Sequence, residues 1–314
     1  MIYMNKCFKI ILSAIAAVCL LVAIVPTSVY LVRGSISNEK LPESFESELE
    51  KSYFQNNSDI RIMSSNLLVG YKSWGGKPVK PRAKQYVSLI EKFAPDVIGI
   101  QEMCDGWFCC IKHNLPKGYK MLYPVSTGSL VRMTAMVYNS DTLNVIEKGN
   151  FTYSEKDNPR LRRVVWAVFE TKKDGKRFAV TNTHFSLLRE GEEDMYMNIM
   201  NTQKDELISC VNDLYEKYEC PVFSVGDFNT MEDTPNTKPI DYPDLYSNIL
   251  NNLKDTKMLC NNKIVGNLQN WDYPSYDHIF LKGEAEVDAF AVLSYEYLKD
   301  ISDHFPIFAD FSLK

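Results

Sequence analysis

The chain has 314 residues, of which 45% are apolar and 24% charged, so it is not an intrinsically disordered protein and is long enough for one large domain or two small ones. Its formal net charge of -5 provides no basic field, which disfavours tight nonspecific binding to nucleic acid. The composition therefore indicates a globular protein.

An apolar run is the first predicted element. Residues 10–32 contain no charged side chain over 23 residues, about the length that a helix needs to cross a bilayer. Two lysines precede the run and one arginine follows it, which favours a cytoplasmic N-terminus with the rest of the chain outside. A signal peptide that is cleaved, leaving a secreted protein, is the alternative. Because no small-x-small cleavage site is evident, we favour an uncleaved single-pass anchor over residues 1–33.

A polar stretch follows this run. Residues 34–58 are rich in glutamate, serine and asparagine, and their few apolar residues are scattered, so we expect a solvated linker with at most a weak helix. From residue 59 the pattern changes to short apolar segments that alternate with polar ones, and we expect one globular domain over residues 59–314.

Six cysteines lie in this domain, an even number that permits disulfides in an exported protein. The sequence does not choose between the possible pairings. Cys210 with Cys220, and Cys104 with Cys109 or Cys110, are the candidate pairs, and buried free thiols are the alternative. No pair has the Cys-x-x-Cys spacing of a zinc site.

Two predicted strands in the first half of the domain end in polar side chains. A strand over residues 60–63 leads to Asn66, and a strand over residues 96–100 leads to Glu102, with a helix over residues 82–94 between them. The carboxyl ends of strands are where α/β proteins place ligands, so both side chains are candidates for a site. A turn-forming asparagine and a solvated carboxylate are the alternatives.

Residues 104–118 are predicted to form an irregular loop over the mouth of this site, since the stretch ends in a Pro-x-Gly turn. The loop contains Trp107 and Phe108. We favour packing of these two rings beneath the loop over an aromatic lid.

Three arginines within four positions, Arg160, Arg162 and Arg163, precede a predicted strand over residues 164–169. Guanidinium groups can bind phosphate oxygens bidentately, so the cluster could hold a phosphate. Solvated charge is the default interpretation for at least one of the three.

In the second half of the domain, a predicted strand continues into His184, and a helix over residues 197–218 leads to a strand over residues 221–225. That strand ends in Asp227 and Asn229. A carboxylate and an amide at this spacing can hold a metal or water and a substrate oxygen, although an Asx turn explains the pair equally well on its own.

Two candidates for acid–base chemistry come last, after a loop-rich stretch over residues 231–256. Asp277 opens a predicted strand, and Asp303 and His304 precede the closing strand over residues 307–311. An Asp-His pair that faces the edge of a sheet suits acid–base catalysis or metal binding.

Taken together, these motifs resemble, in their order along the chain, those of the endonuclease/exonuclease/phosphatase superfamily, which has the deoxyribonuclease I-like fold. The motifs are Asn66, Gln101-Glu102, Asn182-Thr183-His184, Gly226-Asp227-Phe228-Asn229, Asp277 with Ile279-Phe280, and Ser302-Asp303-His304-Phe305-Pro306. The resemblance covers residues 59–314. It implies an α/β (α+β) four-layer sandwich, in which helices flank two packed, mostly antiparallel sheets, with one metal-dependent phosphoesterase site at one end.

The resemblance also implies a cofactor, Mg²⁺ or Mn²⁺. Glu102 would be its principal ligand, with Asn66 and Asp303 nearby, and this set suits a hard cation that prefers oxygen ligands and keeps several waters.

The resemblance assigns catalytic roles to five residues. Asp227 would orient or deprotonate the attacking water, and Asn229 would contact that water or a phosphate oxygen. His184 and His304 would donate to the oxygens that gain charge in the transition state, and Asp277 would hold the His304 ring and raise its pKa.

Arg162, four residues before Trp166, resembles an arginine that contacts phosphate in some members, although Arg163 is equally reachable. His278 stands where members often have tyrosine, and no carboxylate partner for His184 is evident.

The expected function is therefore an exported, membrane-anchored, metal-dependent hydrolase of phosphoesters, acting as a monomer. Its substrate could be a small molecule, a lipid headgroup or nucleic acid. An extracellular endonuclease or exonuclease on DNA or RNA is one alternative, and a catalytically inactive binding module is the other.

Overall fold

The computed structural model describes residues 34–52, 56–70, 76–124, 133–155, 162–235, 237–260, 264–266 and 275–314. Within these ranges the chain forms two packed β-sheets with helices on both outer faces. The predicted anchor over residues 1–33 lies outside the described residues. None of the helices that the structure describes has the length and apolar character needed to span a bilayer.

Each sheet mixes parallel and antiparallel pairs, and antiparallel pairs are the more common. The strands of the first sheet, in spatial order, are β10 (Ile264–Gly266), β12 (Ala285–Val292), β13 (Ile307–Leu313), β1 (Ile60–Asn66), β2 (Val97–Gln101), β4 (Ala135–Asn139) and β3 (Tyr119–Leu122). Those of the second sheet are β5 (Leu143–Thr152), β6 (Arg163–Thr171), β7 (Arg177–His184), β8 (Val222–Asp227), β11 (Asp277–Lys282) and β9 (Lys254–Asp255).

The helices form the two outer layers. Those on the first sheet are α1 (Phe45–Ser52), α2 (Val79–Phe93) and α3 (Asp105–Asn114). Those on the second sheet are α4 (Glu193–Tyr218) and α5 (Pro243–Leu250), and the short α6 (Thr256–Leu259) follows β9. The predicted four-layer order is therefore confirmed for the described residues.

Strand residues alternate between the hydrophobic layers. Ile62 of β1 and Val225 of β8 belong to the core between the two sheets. Met63 packs with the residues of α2 and α3, and Val222 packs with those of α4 and α5. Because successive side chains of a strand point to opposite faces, one strand supplies two layers.

A parallel pair of strands in each sheet positions the polar strand ends. In the first sheet β1 runs parallel to β2, with Asn66 beside Gln101. In the second sheet β7 runs parallel to β8, with His184 beside Asp227. Since parallel neighbours end at the same edge of a sheet, four polar side chains meet at one end of the sandwich.

A buried asparagine bridges the two sheets just below that end. The Oδ1 of Asn182 accepts a hydrogen bond of 2.7 Å from Nε2 of Gln101, and its Nδ2 donates to the carbonyls of Ile100 and Ala135 at 3.0 and 2.6 Å. The sheets approach closely here, because a Cβ on Gly99 would lie 2.7 Å from the Asn182 Oδ1 and 2.3 Å from Val225 Cγ2. Only glycine fits at that position.

Residues 104–118 differ from the predicted irregular loop, because they contain α3. Trp107, Phe108 and Ile111 share one face of this helix and are buried. The Trp107 ring packs edge-on against Tyr86 of α2, with 6.0 Å between ring centroids. Packing of the two aromatic rings is therefore confirmed, and the lid is wrong.

The polar stretch over residues 34–58 is more ordered than expected. Phe45 and Leu49, four residues apart on α1, are buried against the first sheet, and Phe45 packs edge-on against Tyr297 with 5.3 Å between centroids. Apolar residues that look scattered in the sequence lie one helical turn apart here. Residues 34–58 are thus partly packed on the domain, and the predicted boundaries stay predictions.

The six cysteines of the described residues are free thiols. The pair Cys210 and Cys220 is wrong because both thiols are free: Cys210 lies inside α4, about 12 Å of helical rise before its end at Tyr218, and Cys220 lies beyond that end. Pairing of Cys104 with Cys109 or Cys110 is also wrong, since all three lie along α3 or at its start. The free-thiol interpretation is confirmed.

Candidate active site

At one end of the sandwich, the rows of apolar side chains that fill the space between the two sheets end in polar side chains. Asn66 continues the row of Ile62 on β1, and Asp227 continues the row of Val225 on β8. His184 occupies the same position on β7, beside Asp227 in register. The two-residue period of a strand therefore turns all three side chains toward one another.

Asp227 lies at the centre of this cluster, with its side chain 2% exposed. Its Oδ2 accepts a hydrogen bond of 2.8 Å from Nδ2 of Asn66 on the opposite sheet, and it lies 3.2 Å from Nε2 of His184. The same oxygen lies 3.9 Å from Nε2 of His304. The backbone N–H of Asn229 donates to Oδ1 at 3.0 Å. Residues from four separate segments thus converge on one carboxylate.

The surroundings of Asp227 keep it ionised. Burial alone would raise the pKa of this carboxyl group, but the charges of His184 and His304 and the hydrogen bonds from His184 and Asn66 outweigh burial. The net result is a pKa well below the ordinary value. The carboxylate partner that the sequence did not reveal for His184 is therefore Asp227.

His304 forms an ion pair with Asp277. Its Nδ1 lies 2.6 Å from the Asp277 Oδ2, so this nitrogen carries a proton, and Nε2 faces Asp227. Burial opposes protonation of the ring, but the charges of Asp277 and Asp227 outweigh it and raise the pKa of His304 to about 10. Burial also raises the pKa of Asp277, although the charge of His304 opposes that change. His304 is cationic at neutral pH.

Asn229 shapes the turn after β8. Its backbone has a φ of +48°, in the left-handed region that asparagine tolerates. Its Nδ2 donates to the carbonyl of Phe185, which follows His184, at 2.9 Å. The Asx turn is confirmed, since the N–H of Asn229 bonds the Asp227 side chain, and the Nδ2 bond ties the end of β8 to the residue after β7. The predicted contact with substrate stays a prediction.

The predicted metal ligands Glu102 and Asp303 lie on the more exposed side of the cluster. Oε2 of Glu102 accepts a hydrogen bond of 2.9 Å from the N–H of Val69, just after β1. Ser302, which precedes Asp303, donates its hydroxyl proton to the carbonyl of Asn66 at 2.7 Å. The Glu102 carboxylate and the segment that carries Asp303 are thus both tied to the chain at the end of β1.

The donor set suits a divalent cation of the magnesium kind. Two carboxylates and one amide supply only oxygen ligands, and Mg²⁺ is commonly bound through one or two carboxylates while it keeps several waters. Glu102 has a φ of +56°, in the left-handed region that glutamate rarely adopts and that is often found at functional sites. Among the described residues, no group of three or more His, Cys, Asp or Glu side chains could hold a metal ion.

Arg162 and Arg163, the two arginines of the cluster that the structure describes, have different surroundings. Arg160 lies outside the described residues. Arg163 is committed to β5, since its guanidinium donates to Asn150 Oδ1 at 3.4 Å and to Thr152 Oγ1 at 3.1 Å. Arg162 is buried at the start of β6, 6% exposed. Its contact with phosphate stays a prediction, and Arg163 is the less suitable of the pair.

His278 is not part of the cluster, although it follows Asp277. Its Nδ1 lies 3.1 Å from Asp255 Oδ2, and its Nε2 lies 3.0 Å from the carbonyl of Thr230. Both partners are acceptors, so both ring nitrogens carry protons. Burial opposes this charge, but Asp255 outweighs burial and raises the pKa of His278. The buried pair ties the turn after Asn229 to β11 and β9.

The sequence assigned no role to three residues that hold the site together, although two of them lie within the motifs. Asn182 bridges the sheets, Ser302 ties the His304 segment to β1, and Arg82 binds backbone carbonyls around the Glu102 end of the site. Arg82 had a signal, because it lies at helical spacing with Tyr86 and Phe93 on the apolar face of α2. A charged residue on such a face needs partners.

Comparisons with known proteins agree on the fold. No protein-family model and no curated protein matches the sequence. An endonuclease/exonuclease/phosphatase from Bacteroides vulgatus has a TM-score of 0.65 to this chain at 20% identity, over 81% of this chain and 99% of that one. A mannosyl-6-phosphatase from Bacteroides thetaiotaomicron has a TM-score of 0.63 at 21% identity, over 80% and 99%. D. rerio TDP2, in complex with a single-strand DNA product, has a TM-score of 0.57 at 17% identity, over 81% and 98%.

The two packed sheets and their flanking helices are thus an α/β sandwich of the endonuclease/exonuclease/phosphatase type. The resemblance predicted from the sequence motifs is confirmed by these solved structures at the level of the fold. At such identities the likeness establishes the fold alone, so the chemistry of this chain depends on its own residues.

Proposed function

We propose that this protein hydrolyses phosphoester bonds with the help of a divalent cation. The observation that carries the proposal is the convergence of His184, His304 and Asn66 on the Asp227 carboxylate, with Asp277 behind His304. Carboxylates and an imidazolium that is charged at neutral pH, in one cluster at the strand ends, suit a reaction in which water attacks phosphorus and negative charge develops on oxygen. An inactive binding module would not need this set of partners.

Asp227 would orient the attacking water. Its depressed pKa makes it a weak base, so hydrogen bonding to the water is the better role than complete removal of a proton. The 3.9 Å between its Oδ2 and Nε2 of His304 is longer than a hydrogen bond, so both atoms can bind a third atom between or beside them. A water on Asp227 and a phosphoryl oxygen on His304 would then be adjacent.

His304 would stabilise the charge of the transition state. It is cationic, its Nδ1 is held by Asp277, and its Nε2 is directed toward the centre of the site. Nε2 of His184 faces Asp227, so its main role would be to keep that carboxylate oriented. Asn229, through its tie to Phe185, fixes the turn that carries Asp227.

Asn66, Glu102 and Asp303 would hold Mg²⁺ or Mn²⁺ on the solvent side of Asp227. When bound there, the cation would polarise the phosphoryl oxygens and stabilise the negative charge of the leaving oxygen. The protein's own contribution is to keep these donors in place through the N–H of Val69 and the hydroxyl of Ser302.

The test is a substrate panel on the purified full-length chain in detergent. We would measure hydrolysis of para-nitrophenyl phosphate, its bis ester, mannose 6-phosphate and single-stranded DNA with Mg²⁺, with Mn²⁺ and with EDTA. Metal-dependent turnover of at least one ester that EDTA abolishes supports the proposal. A folded chain that hydrolyses none of them with either metal ends it in favour of a binding module.

Two neighbours in fold suggest which substrates to compare. One is a mannosyl-6-phosphatase, and another was solved with a single-strand DNA product. The net charge of -5 favours a small phosphoester over nucleic acid here. Cleavage of DNA in preference to the small esters would establish the nuclease alternative.

We also propose that the chain is exported and anchored by residues 1–33, with the catalytic domain outside the cytoplasm. The uncharged 23-residue run and the lysines before it support this topology. Membranes from producing cells should retain the protein after alkaline carbonate extraction, and protease added outside should digest the domain. Release of the protein into the medium would instead show that the segment is cleaved.

A further inference from the structure

Arg82 is a buried arginine with an unusual set of partners. It lies on α2, is 4% exposed, and its guanidinium donates to six backbone carbonyls. The acceptors and their distances are Leu67 at 2.6 Å, Leu68 at 3.0 Å, Val69 at 3.3 Å, Lys77 at 2.7 Å, Pro78 at 3.0 Å and Ile301 at 2.9 Å. The face of the guanidinium stacks over the Trp107 ring at 4.8 Å.

Four of the six carbonyls, those of residues 67–69 and of Ile301, belong to segments next to candidate metal ligands, and the other two lie at the start of α2. Residues 67–69 directly follow Asn66, and the N–H of Val69 holds the Glu102 carboxylate. Ile301 directly precedes the segment of Ser302, Asp303 and His304. One guanidinium therefore joins the Glu102 half of the site to the Asp303 half, which are more than two hundred residues apart in the sequence.

These hydrogen bonds stabilise a strained backbone conformation at Leu68. Leu68 has a φ of +53°, in the left-handed region that a branched apolar side chain rarely adopts. Its carbonyl accepts from Arg82 Nη1 at 3.0 Å and from Trp107 Nε1 at 2.9 Å. Such a turn persists only where its surroundings fix it, and here Arg82 and Trp107 do so.

The charge of Arg82 also acts on the site. Among the described residues all its hydrogen-bond acceptors are neutral carbonyls, so no carboxylate cancels its charge by direct contact. Burial lowers the pKa of Arg82 to about 10, opposed by Cys104, Asp303 and Glu102, so it is charged at neutral pH. Its positive charge attracts the carboxylates of Asp303 and Glu102 toward this side of the site.

We propose that Arg82 is the positioning residue of the candidate cation site. It assembles the site by fixing residues 67–69, whose Val69 N–H holds Glu102, and Ile301, close to Asp303, to one guanidinium. This inference rests on the proposed function, because it requires that a divalent cation binds there. Arg82 does not touch the cation or the substrate. Lysine could not replace it, since an ammonium group has three donors at a single point and cannot span three segments.

The experiment compares Mn²⁺ binding by wild-type protein with that of Arg82→Lys and Arg82→Met. Free Mn²⁺ is measured by electron paramagnetic resonance on the full-length chain in detergent, independently of activity. Residues that orient metal ligands typically change affinity about 10–100-fold when mutated, so we expect a dissociation constant higher by that factor, with Arg82→Met more affected than Arg82→Lys. Turnover at saturating Mn²⁺ should recover more fully in Arg82→Lys.

Arg61→Lys is the matched control. Arg61 is also a fully buried arginine, but it lies near the other end of β1 and pairs with Asp310 at 2.7 Å. The control should lose stability and keep wild-type Mn²⁺ affinity. If it weakens Mn²⁺ binding as much as Arg82→Lys does, the effect is one of general stability and the proposal falls.

Trp107→Phe provides a second test if Arg82→Met does not fold. It removes the hydrogen bond to the Leu68 carbonyl and leaves Arg82 in place, so it should weaken Mn²⁺ binding by a smaller factor than Arg82→Lys does. Folded Arg82 variants with wild-type Mn²⁺ affinity would overturn the inference about Arg82 alone. Wild-type protein that binds no Mn²⁺ and hydrolyses no ester would overturn the proposed function itself, and the two failures are therefore distinguishable.

Discussion

Nδ1 of His304 lies 2.6 Å from Oδ2 of Asp277, and this contact determines which ring nitrogen is left to face the centre of the site. The pKa of His304 is raised to about 10, so His304 is cationic below that pH and loses its charge above it. In Asp277→Asn, we expect the alkaline limb of the pH–kcat profile to move from about 10 toward the ordinary histidine value of 6.5. An unchanged pH–kcat profile would show that Asp277 does not raise the pKa of His304.

Asp227 and His304 should be the most sensitive positions for turnover. We expect Asp227→Asn and His304→Gln to lower kcat by about 10²–10⁴-fold, the contribution typical of positioned acid–base groups. His113→Gln, on an exposed histidine at the end of α3, should leave kcat unchanged. Steady-state kinetics with circular dichroism as a check of folding makes the comparison, and wild-type kcat in either active-site variant would refute the assignments.

Glu102 should control metal dependence. Glu102→Gln keeps the size of the side chain and removes its charge, so the Mg²⁺ concentration at half-maximal rate should rise by at least about tenfold, as even residues that only orient a ligand change affinity by about 10–100-fold. Metal titration of activity gives the value. An unchanged titration curve would place the cation elsewhere.

The His278–Asp255 pair should make stability depend on pH. The pKa of His278 is raised in the folded state, so its stabilising charge is fully present below the unfolded value of 6.5 and is lost as the pH rises through the folded value. Urea unfolding at about pH 6 and about pH 9 should show a difference in wild type that shrinks in His278→Gln. Equal differences in the two proteins would show that another group titrates.

Asp310 should matter for stability and not for turnover. It pairs with Arg61 at 2.7 Å, and both side chains are almost fully buried. Asp310→Asn leaves the Arg61 guanidinium without its countercharge, which typically costs about 3–5 kcal/mol in a buried pair. Urea unfolding measures the loss, and kcat per folded molecule should stay at the wild-type value.

Much of the fold could be predicted because strand ends carry local signals. Asn66, Glu102 and Asp227 each follow a short apolar run, and the structure places them at the edge where parallel strands end. The order of the motifs indicated the fold. Short apolar runs alone could not do so, because the pairing of strands depends on contacts between residues that are distant in sequence.

Other features depend on contacts that no local pattern contains. The Pro-x-Gly turn that ends residues 104–118 indicates a loop, but α3 forms there because tertiary packing, such as that of Trp107 against Tyr86, stabilises it. Strands β3 and β12 were missed, and so was α5, within the stretch expected to be loops. The partner of His184 was unknown because Asp227 lies on another strand, forty-three residues later.

The absence of a side chain at Gly99 has a consequence for the whole site. Each sheet contributes part of the Asp227 cluster, so the distances within that cluster depend on the spacing of the sheets. At position 99 the two sheets are too close to admit even a methyl group. A single added carbon there would act as a wedge between the layers. The geometry of the Asp227 cluster is therefore sensitive to the space at position 99, which none of the side chains in that cluster occupies.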